Sequence, residues 1–311
     1  MNDNKRYIIR NYRPLDLTDY AHLKIAAVKL HPGGGDYSLE DIKENMGRPN
    51  YSPERDLFVI ETAREIAGFI DITPELKIGC VVLDCLVLPD YRRHGLSREL
   101  LEYALYRARE LKAKIARVNI GQDNTSARKV LPRLGFRMVR RFLELRRQID
   151  DIGPPEVTQN TFICRHLSHG ETETLTHLQN RCFTGYWGYN PNTAEEIAYY
   201  IKMSHGSPED VILVRAADKP VGYCWTTVNR EVETAKGKRK GCIYMLGTDP
   251  DYRGLGIGRI ALLSGLAYLK RKGRRIVKIT VDSENETARA LYKSVDFKKW
   301  SSSLWYEKAI D

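Results

Sequence analysis

Residues 253–258 read Arg-Gly-Leu-Gly-Ile-Gly and stand between an apolar stretch, Gly241 to Asp249, and an amphipathic run from Arg259 to Gly273. Glycines let a backbone turn so that successive N–H groups point into one concavity. A helix opening directly after them adds the positive end of its dipole, and the pair makes a pyrophosphate site. Three nucleotide-type chemistries compete for such a loop. A dinucleotide fold wants Gly-x-Gly-x-x-Gly after its first strand with an acid about 20 residues on. Here the third glycine, Gly258, stands at the wrong spacing and the loop follows a late strand. A Walker loop needs Gly-Lys-Ser/Thr, which is absent. A glycine-rich turn with no ligand is the plain alternative.

The elements that must hold this loop occur twice. "LPDYRRHGLS" from Leu88 returns as "DPDYRGLGIG" from Asp249, a shift of 161 residues. The same shift carries Asn124 onto Asn285, Ala127 onto Ala288, Arg128 onto Arg289 and Phe136 onto Phe297 without a gap. One register over nearly fifty residues is a duplication, and its length is that of a domain rather than of a solenoid repeat. A chain of 311 residues also suits two domains. The join is expected within 150–160, where Gly153-Pro154-Pro155 breaks any regular element, giving domains 1–152 and 153–311. In the second half, stretches 171–182 and 193–204 read as helices. Strands follow from Asp210, Pro220 and Gly241, then the loop, a helix, a strand "RIVKITVDS", a helix "NETARALYKSV" and a closing strand "LWYEKAI". The first half mirrors this order, ending in "FLELRRQI". Hairpin strands followed by strand–helix–strand predict an α/β fold, each domain a mixed, mostly antiparallel twisted sheet flanked by helices.

Two blocks of the second half, "DPDYRGLGIGRIALL" and "VDSENETARALYKSVDF", resemble the GCN5-related N-acetyltransferase (GNAT) superfamily. Its Gln/Arg-x-x-Gly-x-Gly/Ala pattern after the fourth strand falls on Arg253, Gly256 and Gly258. Its later block falls on Asn285, Ala288, Leu291-Tyr292 and Phe297. Two such domains in one chain look like the tandem acetyltransferases, the mycothiol synthase type among them, without carrying over that type's substrate. The resemblance implies acetyl-CoA as donor, with Arg253, Gly254, Leu255, Gly256, Ile257, Gly258 and Arg259 around its pyrophosphate. It implies that the strand "YMLGT" splays from its neighbour near Ile279–Asp282, freeing backbone groups around Leu246 and Thr248 for the pantetheine arm and thioester. A thioester oxygen needs such a donor as it becomes an oxyanion. Asn285 is implied to bond the pantetheine, and it also stands where a helix N-cap belongs. Tyr292 is implied to be the acid that protonates the departing thiolate. A phenol near pKa ~10 can donate to a thiolate whose conjugate acid lies near ~8.5 if it is held at the sulfur. A helix tyrosine packing its ring is the alternative there.

No His or carboxylate stands on the strand "CIYMLGT", so the group that takes the acceptor's proton is not legible. Asp282 and Glu284 are candidates, although both types also serve turns and caps, and a water relay is equally open. Phe183, Tyr186, Trp187 and Tyr189 could line an acceptor pocket or pack a core. The first half departs from the pattern. Arg93-His94 replaces Gly254-Leu255, Ser97 replaces the last glycine, and Leu131 stands where Tyr292 stands, followed by Pro132. Asp84 is a base candidate or a structural acid. This half reads as degenerate, so catalysis is expected in the second.

The remaining composition narrows the classes. Hydrophobic residues at 42% and charged residues at 29% exclude disordered, fibrous and membrane-spanning chains. No stretch approaches the ~18 apolar residues of a spanning helix, and the charged first 30 residues carry no secretory core. Six scattered cysteines and seven dispersed histidines predict buried thiols in a reducing, cytoplasmic setting and no metal site. A net charge of +10 suits nucleic acid, anionic lipid or a polyphosphate cofactor equally. The basic clusters, such as Arg146-Arg147, Lys238-Arg239-Lys240 and Arg271 to Arg275, are short and separate, which points away from nucleic acid and membrane. The expected activity is therefore acetyl transfer to the amine of a small molecule or peptide by direct attack in a ternary complex. The competing class is a non-catalytic acyl-CoA-binding or regulatory protein.

Overall fold

The structure, a computed structural model, describes residues 7–29, 38–153, 162–204, 206–228 and 240–311. In chain order the first repeat runs β1 (Tyr7–Asn11), α1 (Leu17–Lys29), α2 (Leu39–Met46), α3 (Pro53–Asp56), β2 (Leu57–Thr62), β3 (Ile66–Glu75), β4 (Cys80–Val87), α4 (Leu96–Glu110), β5 (Ile115–Gly121), α5 (Thr125–Arg133) and β6 (Arg137–Gln148). The second runs β7 (Phe162–His166), α6 (Thr172–Phe183), α7 (Ala194–Lys202), β8 (Val211–Ala216), β9 (Lys219–Thr227), β10 (Lys240–Thr248), α8 (Ile257–Arg271), β11 (Ile276–Asp282), α9 (Glu286–Lys293) and β12 (Lys298–Ala309). Every strand and helix expected from the sequence is present. The short strands β1 and β7, five residues each, were not expected. The Pro154-Pro155 pair of the expected join, and Lys238 and Arg239 of the basic cluster before β10, lie outside the described residues.

The chain forms two compact units, Met1–Arg141 with Ser302–Asp311, and Phe142–Ser301. The repeat suggests a cut near residue 152, but the sheets divide the chain differently. The closing strand of each repeat is built into the other unit. In the first unit the strand order is β1-β2-β3-β4-β5-β12, and in the second β7-β8-β9-β10-β11-β6. The part of β12 from Ser303 to Ala309 pairs antiparallel with β5, and the part of β6 from Phe142 to Gln148 pairs antiparallel with β11. Within each unit only the pair β4–β5 or β10–β11 is parallel.

Helices cover both faces of each sheet. In the second unit one face carries α8, whose Ala261, Leu262, Leu266 and Leu269 recur at helical spacing and pack on Val221, Ile243, Val277 and Ile279. The other face carries α6 and α7, with Leu175, Leu178 and Ile197 against Leu213, Tyr223 and Trp225. Along β9, Tyr223 and Trp225 face α6 and α7 while Cys224 faces α8, as period-two alternation requires. α8 lies close to the sheet: a Cβ at Gly265 would collide with Cys224 Sγ. A buried tie also holds this helix, since Tyr268 donates to Asp210 at 2.8 Å just before β8. Burial pushes the Asp210 carboxyl up, opposed by that bond. The first unit makes the same tie with different chemistry: Arg107 of α4, one repeat before Tyr268, donates from Nε to Asp56 at 2.9 Å.

All six cysteines are free. Cys80, Cys182 and Cys224 are buried as expected, but Cys85 and Cys164 are exposed. Among the described residues no helix is long and apolar enough to cross a membrane.

The exchange of closing strands has a direct test. A chain ending at Ser301 lacks the strand that covers β5. Its amides in Ile115–Gly121 are expected to lose hydrogen-exchange protection while those of Ile276–Asp282, covered by β6, keep theirs. Protection lost in the second unit instead would contradict the exchange.

Candidate active site

β10 and β11 pair in parallel only from Lys240–Ile276 to Ile243–Ile279. Both strands continue, β10 to Thr248 and β11 to Asp282, without further pairing between them. On its other edge β10 stays paired with β9 to Thr248, but its register shifts between Ile243 and Met245, leaving Tyr244 as a bulge. A bulge bends and twists its strand, which turns β10 away from β11. The splay expected from the sequence is therefore present. The backbone groups of Leu246 and Thr248 on that side have no strand opposite them, and a buried peptide group without a partner calls for a ligand or water.

The loop after β10 is fixed before it reaches the glycines. Asp249 is 1% exposed. Its carboxylate accepts Arg181 Nε and Nη2, each at 2.9 Å, and the Asp251 N–H at 3.1 Å. These bonds, Arg181 foremost, hold the carboxyl below its usual range. Nothing in the sequence pointed to this clamp. Gly254 and Gly256 then adopt φ of +80° and +78°, the left-handed region that costs other residues about 1 kcal/mol or more. Gly256 is the N-cap of α8, and its carbonyl accepts the N–H groups of Arg259 and Ile260. The N–H groups of Gly254, Leu255, Gly256, Ile257 and Gly258 find no acceptor among the described residues. Five free donors at a helix N-terminus are an arrangement that suits an anion. Arg253 lies beside it, donating to Cys182 O at 3.0 Å, and Arg259 donates to Ser294 Oγ at 3.0 Å.

α9 closes the groove. A Cβ on Gly258 would meet Leu291 Cδ2 at 3.4 Å and Thr248 Oγ1 at 3.5 Å, so the end of β10, the start of α8 and α9 converge there. Asn285 caps α9, accepting Ala288 N–H at 3.0 Å through Oδ1. Next to Leu291, Tyr292 is 5% exposed and packs on Phe297 with ring centroids 6.0 Å apart. Its hydroxyl makes no hydrogen bond among the described residues. Burial pushes its phenol up, and Cys224 and Tyr186 add to this. The expected acceptor aromatics divide. Phe183 stacks on Tyr189 at 5.2 Å and meets Tyr186 at 5.8 Å, whereas Trp187 meets Phe142 of β6 at 6.0 Å. Of the base candidates, Asp282 is taken by the turn: its Oδ1 accepts the Glu284 N–H and its carbonyl the Asn285 N–H. Glu284 is exposed.

The first unit keeps part of this. β4 and β5 stop pairing after Leu83–Val118, and Gly95 caps α4 at φ +83°. Arg93, at the place of Gly254, is forced to φ +68°. Asn124 caps α5 as Asn285 caps α9. The bulge is absent from the β3–β4 register, and a buried Leu131 stands at the place of Tyr292. Asp84 is ion-paired with Lys24 at 2.5 Å.

The acetyltransferase (GNAT) family model matches residues 26–136 and 172–297, and the chain belongs to that family. It is an acetyltransferase of the N-acetyltransferase type, built as a tandem. It is 28% identical over 263 residues to mycothiol acetyltransferase of Thermobifida fusca (strain YX), covering 79% of this chain and 80% of that protein. The fold is similar to a GCN5-related N-acetyltransferase from Sphaerobacter thermophilus, with a TM-score of 0.73 and 22% identity over 99% of this chain and 96% of that one. It is also similar to a tandem GNAT protein from the clavulanic acid biosynthesis pathway, with a TM-score of 0.72 and 13% identity over 98% and 99%.

Two substitutions test the cradles. Gly256→Glu puts a side chain on a left-handed backbone and a negative charge among the five donors, so CoA binding measured by calorimetry is expected to vanish with the fold intact. Gly95→Glu does the same in the first unit and is expected to leave the chemical step working. Unchanged CoA affinity in the first variant, or turnover lost in the second while CoA still binds, would contradict this assignment.

Proposed function

We propose that the second unit, Phe142–Ser301, transfers the acetyl group of acetyl-CoA to the primary amine of a small molecule, by direct attack in a ternary complex. The observation that carries this is the groove between the splayed ends of β10 and β11, with five free N–H groups at its loop end; on α9 beside it, the buried Tyr292 has a hydroxyl without a partner among the described residues. The N–H groups of Gly254–Gly258 take the pyrophosphate, with the charges of Arg253 and Arg259 beside them. Leu246 and Thr248 offer strand-like backbone partners to the pantetheine amides, and one of these groups faces the thioester oxygen as it gains charge. Asn285 presents its amide NH2 to the same arm while Oδ1 caps α9. Tyr292 lies seven residues on, about two turns at 3.6 residues each, so both side chains leave α9 on one face.

Tyr292 donates its proton to the departing thiolate. Because burial raises its phenol pKa, the group stays protonated as pH rises through the range where an amine acceptor loses its proton. A fall in rate from loss of this acid is expected only above the ordinary tyrosine range of about 10. The likeness to mycothiol acetyltransferases favours a small-molecule amine over a peptide terminus. The cytoplasm suits a chain whose six cysteines are all free.

The assay is release of CoA from acetyl-CoA with D-glucosamine, L-cysteinamide and a short peptide as amines. Tight binding of acetyl-CoA with no turnover on any of them would favour a binding or regulatory protein instead. Tyr292→Phe keeps the ring and its packing and removes the proton. Fold and CoA affinity are expected to hold while turnover drops by roughly 10²–10⁴. The loss should shrink for a donor whose leaving thiol is more acidic. Near-normal single-turnover rates would show the tyrosine to be packing only.

A further inference from the structure

The reaction also needs a group to receive the acceptor's proton, and β10 offers no carboxylate or imidazole. We infer that Glu144, on the closing strand contributed by the first repeat, binds the acceptor amine and takes its proton; this rests on acetyl transfer in the second unit. The placement follows from register. On β11, Val277, Ile279 and Val281 are packed in the core beneath α8, so Lys278, Thr280 and Asp282 face the other way. Cross-strand partners share a face. Asp282 pairs with Phe142, Thr280 with Glu144 and Lys278 with Arg146. On β10, Ile243 lies in the same α8 core and Gly241 faces Leu269, so Cys242, the partner of Lys278, also faces away from α8.

That face is where the splay opens. Pairing ends at Ile243–Ile279, and the next residue of β11, Thr280, is exposed. Glu144 stands beside it, one strand spacing of about 4.8 Å away, a distance a glutamate side chain can reach across. Its Oε1 accepts Arg146 Nε at 2.5 Å, while Oε2 has no partner among the described residues. Arg146 is itself set by the Trp300 ring, 4.2 Å from its guanidinium carbon. Trp187, packed on Phe142, brings the segment between α6 and α7 to the same face. Charged and titratable groups facing this carboxylate are Arg146 on its own strand, Lys278 and Asp282 on β11, and Cys242 on β10. Cys242 is the register partner of Lys278, whose next neighbour on this face, Thr280, is the partner of Glu144; burial pushes the Cys242 thiol up, with Lys278 opposing and Glu144 adding.

The first unit supplies a contrast. There Asn119 occupies the place of Thr280, and its partner on β12 is Trp305. Arg117, at the place of Lys278, is instead ion-paired with Glu307 at 2.8 Å. The unit that lacks the phenol at Leu131 thus also lacks a carboxylate at this register.

In the step, Glu144 Oε2 takes one proton from the bound ammonium, which frees the lone pair that attacks. The nitrogen then bonds the thioester carbon and loses its second, now strongly acidic, proton to water, while the C–S bond breaks and the thiolate takes the Tyr292 proton. Glu144 returns its proton to water and Tyr292 regains one from it, so an ammonium and a thioester give an amide, a thiol and one proton. The test uses the full chain, acetyl-CoA and D-glucosamine or L-cysteinamide, whichever the wild type acetylates. Glu144→Gln is expected to lower kcat by about 10²-fold or more near neutral pH, with melting temperature and acetyl-CoA affinity unchanged. With methoxyamine, which is uncharged at that pH, the deficit is expected to shrink to a few fold. Glu144→Asp, which keeps the charge on a shorter arm, is expected to fall between, and decides the matter should the glutamine variant misfold. A kcat within threefold of wild type in either variant, or an equal deficit with methoxyamine, overturns the role of Glu144 alone. A wild type that binds acetyl-CoA and acetylates none of these amines overturns the acetyl-transfer reading and this one with it.

Discussion

Backbone pairing between two parallel strands stops after four residues on each, at Ile243 and Ile279, and the rest of the second unit is arranged around that interruption. Unpaired strand ends in a protein interior are costly unless something satisfies them. β10 remains tied to β9 throughout, and the extra residue at Tyr244 gives it the bend that carries it away. β11 would be left with one short edge of pairing, and β6 compensates by covering it along its full length, from Ile276 to Asp282. The divergence is thus held open from both outer sides. It leaves a slot of main-chain donors and acceptors that a linear amide-containing molecule can fill. The Arg181–Asp249 clamp then sets the direction in which the chain leaves the slot, and α8, seated on β9 at Gly265, aims its N-terminus at the same place.

The two units show which parts of this design are cheap to retain. The interrupted parallel pair, the left-handed cap and the helix-capping asparagine persist in the first unit, because each also serves the fold. A cap satisfies orphan donors whether or not a ligand arrives. The first unit has neither the phenol nor the carboxylate: Leu131 stands at the place of Tyr292 and Trp305 at the place of Glu144. Arg93 shows the tolerance of the retained loop: it bears a left-handed φ that glycine would adopt freely.

Most of the fold was legible from residue patterns. Alternation along 211–216 and 219–227, helical spacing from Ile257, and glycines at 254, 256 and 258 each have one sensible conformation. β1 and β7 escaped because five-residue edge strands with polar positions carry little periodicity. The partner of each closing strand escaped for a different reason. "LWYEKAI" and "FLELRRQI" alternate alike, and alternation specifies a face, not which of two similar edges will be covered. That ambiguity also concealed Glu144, since a search for a proton acceptor within the second repeat never reaches residue 144. Asp282 and Glu284 drew attention by sequence proximity, yet Asp282 closes the turn into α9.

The exchanged strands also set an order on how the protein is made. Phe142–Ser301 is one uninterrupted segment, whereas the other unit begins near the first residue and is completed only by Ser302–Asp311. On a ribosome, the earlier-emerging sheet must wait, with the β5 edge uncovered, until the later one has been synthesised. An open edge is a template for unwanted strand addition. The residues of β5 that face away from the α4 core, Arg117 and Asn119, are polar; Arg117 is buried and ion-paired with Glu307 only once β12 is in place, and until then its unpaired charge disfavours the docking of another strand.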